Sequence, residues 1–264
     1  MEEQLAASLA RKLGLTFDES VVLGRGTNVL IHLRPTPVVA RVTRLAHLVR
    51  PVEVLAGGVG LAMALGDLAV GPSDRVDPGP HTEGGRFVTF WDYRTGPTAS
   101  PTEAGSALRT FHERGVRYRG PLRGFDPRPE ALRIADLVGG EAGETLRDAA
   151  RRLERPSFSE QPIHGDAHFE NVIAGGVWQD FDEACSGPRE WDIACMVHRW
   201  EVFGEFEREM RDALDAYGAY DREAVGALRS LVVLGIAAWG SLGAKVIGEP
   251  SPRTARRLEW LRRH

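Results

Sequence analysis

The chain has 264 residues, 42% of them hydrophobic and 27% charged, enough for one large domain or two lobes around a substantial core. A formal net charge of −4 argues against a general nucleic-acid binder, and two cysteines, Cys185 and Cys195, are too few for a disulfide framework and lack metal-ligand spacing. The acidic start MEEQLAASLARKLGL lacks the apolar run of a secretory signal, and the most apolar later stretch, 231–239, is about half the length that crosses a bilayer, so a cytoplasmic protein with no membrane partner is expected.

Residues 2–14 carry Leu5, Leu9 and Leu13 at helical spacing. Three β-like segments follow at 19–24, 29–33 and 38–43, separated by glycine and proline as in a small antiparallel sheet. A helical pattern runs over 52–65, Pro72, Pro78 and Pro80 mark a loop, and 86–93 returns to strand character. The stretch 95–101 (TGPTASP) reads as a linker. Beyond it, helices are predicted at 101–115, 127–138, 141–154, 189–203, 205–219, 221–247 and 251–263, interrupted by a hairpin at Gly175-Gly176, a two-residue turn signal. The expected fold class is α+β and bilobal, with a small antiparallel sheet in a lobe spanning 1–94 and a larger helical lobe spanning 95–264. Polar motifs near the junction describe a cleft enzyme.

The motif His164-Gly165-Asp166-Ala167-His168-Phe169-Glu170-Asn171, followed by Asp180-Phe181-Asp182, gathers Asp166, Asn171 and Asp180 within a short interval. Phosphoryl transfer uses one carboxylate near the nucleophile, plus an amide oxygen and a second carboxylate for magnesium. Folding back at Gly175-Gly176 sets Asn171 and Asp180 on adjacent strands beside the loop carrying Asp166. His164 and His168 suit loop support better than chemistry. A reading of His164, Asp166 and His168 as transition-metal ligands of a hydrolase lacks a further His or Cys group at ligand spacing.

The pattern HGDAHFENV, then QDFDEACSGPREWDIA, resembles the signature of the aminoglycoside phosphotransferase and choline kinase superfamily, relatives of protein kinases. The resemblance implies a protein-kinase-like fold and γ-phosphate transfer from ATP or GTP to a small-molecule hydroxyl. It identifies Asp166 as the catalytic aspartate, Asn171 and Asp180 as Mg²⁺ ligands, and Asp192 as a brace for the catalytic segment. The interval from Asp166 to Asp180 is several residues shorter than is usual in the family, which demands a tight hairpin. Period-2 alternation places Asp180 and Asp182 on one strand face, and Asp180 fits the family pattern as the first acid.

In the first lobe, Gly24, Gly26, Thr27 and Asn28 form a small-residue turn where backbone N–H groups approach phosphates, and the resemblance makes this the nucleotide-positioning loop. The strand carrying Val39 and Arg41 corresponds to the one that provides a phosphate-holding lysine, here replaced by Arg41, with Glu53 as its expected partner and Arg44 as a rival. Residues 87–93 (FVTFWDY) resemble the segment leading to the adenine-binding hinge, and His112 reads as a structural histidine. The acceptor is open. Eight acids against three arginines over 201–223 suggest a wall for a cationic acceptor, an aminoglycoside-type antibiotic foremost, or else a solvated helix face. Choline-like amino alcohols, sugars, macrolides and amino-acid derivatives are the other candidates, with Trp191, Trp200 and Trp239 as possible pocket walls. A catalytically silent nucleotide-binding relative is the alternative from another class.

Overall fold

The computed structural model describes residues 1–248 and 250–264. Helix α1 (Glu2–Lys12) precedes strands β1 (Glu19–Arg25), β2 (Asn28–Arg34) and β3 (Val38–Thr43), each within a residue or two of its expected span. Helix α2 (Glu53–Leu65) leads through the proline loop to β4 (His81–Glu83) and β5 (Arg86–Asp92). These strands make one antiparallel sheet in the order β1-β2-β3-β5-β4. Strand β4 has no sequence signal, because it is three residues long and none of His81, Thr82 and Glu83 is apolar. One face of the sheet packs on α1, where Ala6, Leu9 and Ala10 meet Ile31, Leu33, Val38 and Phe90 in a closed core.

The mainly helical part of the chain begins at α3 (Pro101–Gly115). Its N-terminus is fixed by a capping box in which Ser100 and Glu103 satisfy each other's backbone N–H groups, with proline at the first helical position. A two-residue strand β6 (Arg123–Gly124) precedes α4 (Arg128–Val138) and α5 (Gly140–Arg152). Strand β7 (Gln161–Ile163) introduces the motif region, where β8 (Val172–Ile173) and β9 (Val177–Trp178) pair as a hairpin and β10 (Cys185–Gly187) pairs with β6 and β7. Helices α6 (Arg189–Phe203), α7 (Glu207–Tyr217), α8 (Arg222–Ile247) and α9 (Pro252–Arg263) complete the chain.

The hairpin corrects one expectation. Ile173 pairs with Val177, so the turn is the three residues Ala174, Gly175 and Gly176 rather than a two-residue Gly-Gly loop. Both glycines have positive φ, 93° and 78°, which closes the short connection.

Helix α8, at 26 residues, has the length and apolar composition of a membrane span. Its apolar side is spent on the protein interior, where Val233, Leu234, Ala237 and Leu242 pack against α4, α5 and α9. A second cluster joins the lobes: Trp91 stacks on Phe181 with ring centroids 6.4 Å apart, and Phe111 lies against Phe181, Trp178 and the His164 ring. The motif loop therefore stands on a packed aromatic base.

Candidate active site

Asp192, on the first turn of α6, is completely buried. Its Oδ2 accepts the His164 backbone N–H at 2.8 Å and its Oδ1 accepts that of Gly165 at 2.7 Å. The His112 ring Nε2 donates to Oδ2 at 3.0 Å, while Nδ1 meets the Tyr217 hydroxyl at 2.9 Å. A buried carboxylate is tolerated because every donor aimed at it is used. The backbone entering Asp166 is clamped from α6 and α3 together. His164 is wholly buried and its Nε2 bonds the Gln179 carbonyl at 2.9 Å, so this histidine ties the loop to the hairpin and is not free to ligate a metal.

Asp166 remains partly open to solvent, with His168 Nε2 at 3.6 Å from its Oδ2. Burial works to raise its pKa, but the hydrogen bond and charge of His168 prevail and hold it down to about 2. The carboxylate is thus ionised near neutral pH. Asn171 donates Nδ2 to the Asp166 carbonyl at 3.0 Å, which orients its own Oδ1 as a free acceptor. Gln179 N–H bonds the Asn171 carbonyl at 2.9 Å, so the hairpin brings Asn171 to within one residue of Asp180 across the ladder.

Asp180 is not on a strand face. It adopts a left-handed backbone at φ 64°, ψ 65°, and Asp182 follows in a short 3-10 turn. Arg41 spans both acids, with Nη2 at 2.6 Å from Asp180 Oδ1 and Nη1 at 3.2 Å from Asp182 Oδ1. The expected pairing of Arg41 with Glu53 is not made. Glu53 is exposed at the start of α2, and the loss of a charged partner there is answered by the two aspartates across the cleft. Arg44 turns away, bonding the Gly26 carbonyl at 3.2 Å. Asn28 is also committed, since its Nδ2 donates to Asp182 Oδ2 at 2.8 Å. Burial raises the Asp182 pKa against the pull of Arg41, and Asp180 adds to the rise. Asp182 is held by both Arg41 and Asn28 and is the more buried of the two, whereas Asp180 is held by Arg41 and is 37% exposed.

Asp180 lies where two hollows meet. One, about 150 Å³, lies under the sheet, with Leu23, Leu30, Val39 and Trp91 as apolar walls and Arg41, Asn171 and Asp180 at its inner end. The other, about 190 Å³, opens beyond Asp166 and Asp180 between Phe125, Trp191, Ile236 and Trp239. Thr27 and Asn28 reach this second hollow, and Gly24 and Gly26 stand in open space with nothing within 4 Å of an added Cβ. Trp200 lines a separate hollow near α7, away from Asp166.

A charge network under the second hollow was not foreseen. Arg50 forks to Glu130 at 2.5 and 2.6 Å and to Glu183 at 2.7 and 2.7 Å, and it stacks 4.5 Å from the Trp239 ring. Arg123 adds a 2.5 Å contact to Glu183, and Trp239 donates Nε1 to Glu130 at 3.1 Å. Burial raises the Glu183 pKa, but Arg50 and Arg123 pull it below its ordinary value. The partners are 80 and 133 residues apart, so no local pattern announces them; the only hint was an acid, Glu183, directly after the Asp-Phe-Asp run.

The acids over 201–223 do not wall this cleft. Glu201 pairs with Arg229, Glu205 with arginines of α6 and α9, and Glu207 with Arg211 four residues on. None of the eight acids lines the hollow beside Asp166.

The donor set suits magnesium. Asn171 Oδ1 and the Asp180 carboxylate are hard oxygen donors. Five carboxylates (Asp166, Asp180, Asp182, Glu183, Glu130) face three guanidiniums (Arg41, Arg50, Arg123), a surplus that a divalent cation relieves. Among the described residues no group of three His, Cys, Asp or Glu side chains is arranged to hold a metal, so phosphate oxygens and water would complete the shell.

Solved structures share the fold. Choline kinase LicA from Streptococcus pneumoniae is 16% identical and matches with a TM-score of 0.71 over 100% of this chain and 98% of its own. The microcompartment-associated aminopropanol kinase is 17% identical, with a TM-score of 0.65 over 97% and 93% of the two chains. APH(2")-IIia, solved as its GDP and kanamycin complex, is 14% identical with a TM-score of 0.61 over 97% of each. No curated protein matches the sequence. A sequence model of the phosphotransferase enzyme family, APH, matches residues 80–228, a span that holds Asp166, Asn171, Asp180 and the α6 aspartate clamp. More than half of the chain lies within that match, and the bilobal kinase-like fold agrees with it: this chain belongs to the phosphotransferase enzyme family and is a small-molecule phosphotransferase.

Proposed function

We propose that this enzyme transfers the γ-phosphate of ATP or GTP, with Mg²⁺, to a hydroxyl group of a small molecule. The observation that carries the reading is the meeting of two hollows at Asp180, with Asp166 on the far side and Arg41 and Asn171 on the near side. The apolar hollow under the sheet takes the base, and Arg41 and the Gly24–Asn28 turn face the phosphates. Asn171 and Asp180 hold the magnesium ion, which supplies charge neutralisation on the phosphates during transfer. Asp166 orients the acceptor hydroxyl and accepts its proton late, because a loose transition state demands little base strength. On this reading the lobes divide near residues 94 and 95. Two buried free cysteines and the dependence on nucleotide support a cytoplasmic setting.

The acceptor hollow favours a compact alcohol. A cavity near 150 Å³ holds roughly one benzene ring, so about 190 Å³ admits a single ring or its equivalent with the remainder in the open mouth. Its walls are aromatic and aliphatic, and the Glu130, Glu183, Arg50 and Arg123 charges cancel one another. Support for an aminoglycoside from the 201–223 acids falls away because none of them lines the hollow beside Asp166. Kanamycin, a ligand of one fold relative, belongs in the acceptor panel as the polycationic member. The test is nucleotide consumption with Mg²⁺ across small alcohols and antibiotics, with the phosphorylated product identified by mass. Absence of Mg²⁺-nucleotide binding, with zinc retained by the purified protein, would overturn the reading.

A further inference from the structure

The helical lobe holds a nest of arginines that the transfer chemistry does not use. Arg199 on α6 and Arg253, Arg256 and Arg257 on α9 converge around one acid, Glu205, in the turn between α6 and α7. Glu205 is shared three ways, at 3.6 Å from Arg199, 3.2 Å from Arg253 and 3.4 Å from Arg256. The fourth cation, Arg257, is 8% exposed, and among the described residues no carboxylate lies within ion-pairing distance of it. Its Nη2 donates to His198 Nε2 at 3.0 Å, and its Nε is buried with no hydrogen-bond partner. The Nε of Arg199 is stranded in the same way. Buried guanidiniums ordinarily have carboxylate partners, because an uncompensated charge in the interior is costly.

The surroundings keep this charge unanswered. Burial drives His198 down to about 4, so the neighbouring ring is neutral near pH 7. Burial, Arg253 and Arg199 together bring even Arg257 down to about 10. Phe203 and Phe206 carry the guanidiniums of Arg256, Arg257 and Arg199 on their faces, holding them in place without neutralising them. The nest also adjoins the catalytic loop. Arg199 reaches Glu170, four residues after Asp166, at 3.7 Å.

We propose that this nest is an oxyanion subsite for the acceptor, so that the alcohol oriented by Asp166 carries a carboxylate or phosphate group bound by Arg257 with Arg199, Arg253 and Arg256. The proposal rests on the phosphotransfer reading above and names the class of its acceptor. A guanidinium fork takes both oxygens of such a group, and a polycationic acceptor would be repelled from the same place.

The test uses the full chain saturated with Mg²⁺ and a non-hydrolysable ATP analogue. A series of short-chain hydroxy acids, each paired with its uncharged primary amide, is titrated by calorimetry. At least one acid should bind, with its amide weaker by about tenfold or more and the acid's affinity falling with added salt. Arg257→Gln should weaken the acid by about tenfold and leave the amide unchanged, and Arg257→Lys should restore part of the loss. Should Arg257→Gln fail to fold, the exposed pair Arg253→Gln/Arg256→Gln gives the same readout with a smaller loss. Failure of every acid to bind, equal binding of acid and amide, or full acid affinity in the arginine variants overturns the subsite. Nucleotide binding is measured in parallel: its absence strikes the transfer reading, while its presence with no acid preference strikes only the subsite.

Discussion

Asp192 offers the sharpest test of how the catalytic loop is held. Its carboxylate accepts three buried donors, the N–H groups of His164 and Gly165 and the His112 ring, at 2.8, 2.7 and 3.0 Å. Hydrogen bonds to a charged acceptor contribute about 1.5–3 kcal/mol each. In Asp192→Asn the amide keeps one accepting oxygen and presents an NH₂ group to at least one donor that cannot accept it. One to two bonds are lost, so unfolding free energy should fall by about 2–4 kcal/mol. Against a total of about 5–15 kcal/mol this is a large fraction. In urea it corresponds to a midpoint shift of about 0.7–2 M, for a slope of about 2–3 kcal/mol per M. Asp192→Ala strands all three donors and should approach loss of the fold. Nucleotide affinity of folded Asp192→Asn should change little, because its contacts lie on the other side of the hairpin, while transfer should collapse as Asp166 loses its support. A variant within about 0.5 kcal/mol of the parent would refute the claim that this carboxylate clamps the loop.

Asp166→Asn should lower kcat by about 10²–10⁴ while calorimetry shows Mg²⁺-nucleotide affinity retained, because the lost group acts on the acceptor. Asp180→Ala should instead weaken Mg²⁺-nucleotide binding itself, read in the same calorimeter. Gly58 of α2 packs directly on the Phe181 carbonyl, and an added Cβ would collide with that backbone atom. Gly58→Ala should therefore cost about 1–3 kcal/mol in denaturant unfolding, with the Asp180–Asp182 segment displaced. His198 supplies a pH signature. The folded ring stays neutral down to about pH 4, whereas the unfolded ring takes its proton near the ordinary value of 6.5. Between those values the unfolded state binds more protons, so stability is lost as pH falls through the window, by about 3 kcal/mol in full. Urea midpoints measured from pH 7 to 4 should show this loss, and His198→Gln should flatten it.

Much of this protein was legible because its informative features are local. The helix at 101–115 carried Ser100, Pro101 and Glu103 at the spacing of a capping box, and its bounds are Pro101–Gly115. The edges of β3 and α6 likewise coincide with their apolar and turn patterns. The hairpin was expected from Gly175-Gly176, yet its three-residue turn depends on register, which glycine content alone does not set. Alternation in the sequence makes Asp180–Asp182 a strand. It became a left-handed residue followed by a 3-10 turn because Arg41 and the Phe181 aromatic contacts determine where each side chain must point.

The residues of one short stretch determined the chemistry to be expected: Asp166, Asn171 and Asp180 are close in the chain, so the interval and the glycines between them already confine them to one place. Partners of the buried charges belong to the tertiary structure alone. Arg41 faces Asp180 and Asp182 instead of Glu53, Arg50 joins Glu130 to Glu183, and Arg257 meets no carboxylate among the described residues. Side-chain charge in a sequence states that a partner is needed, while the distance over which it is found is set by how helices and sheet stack, a property of the whole chain rather than of any segment.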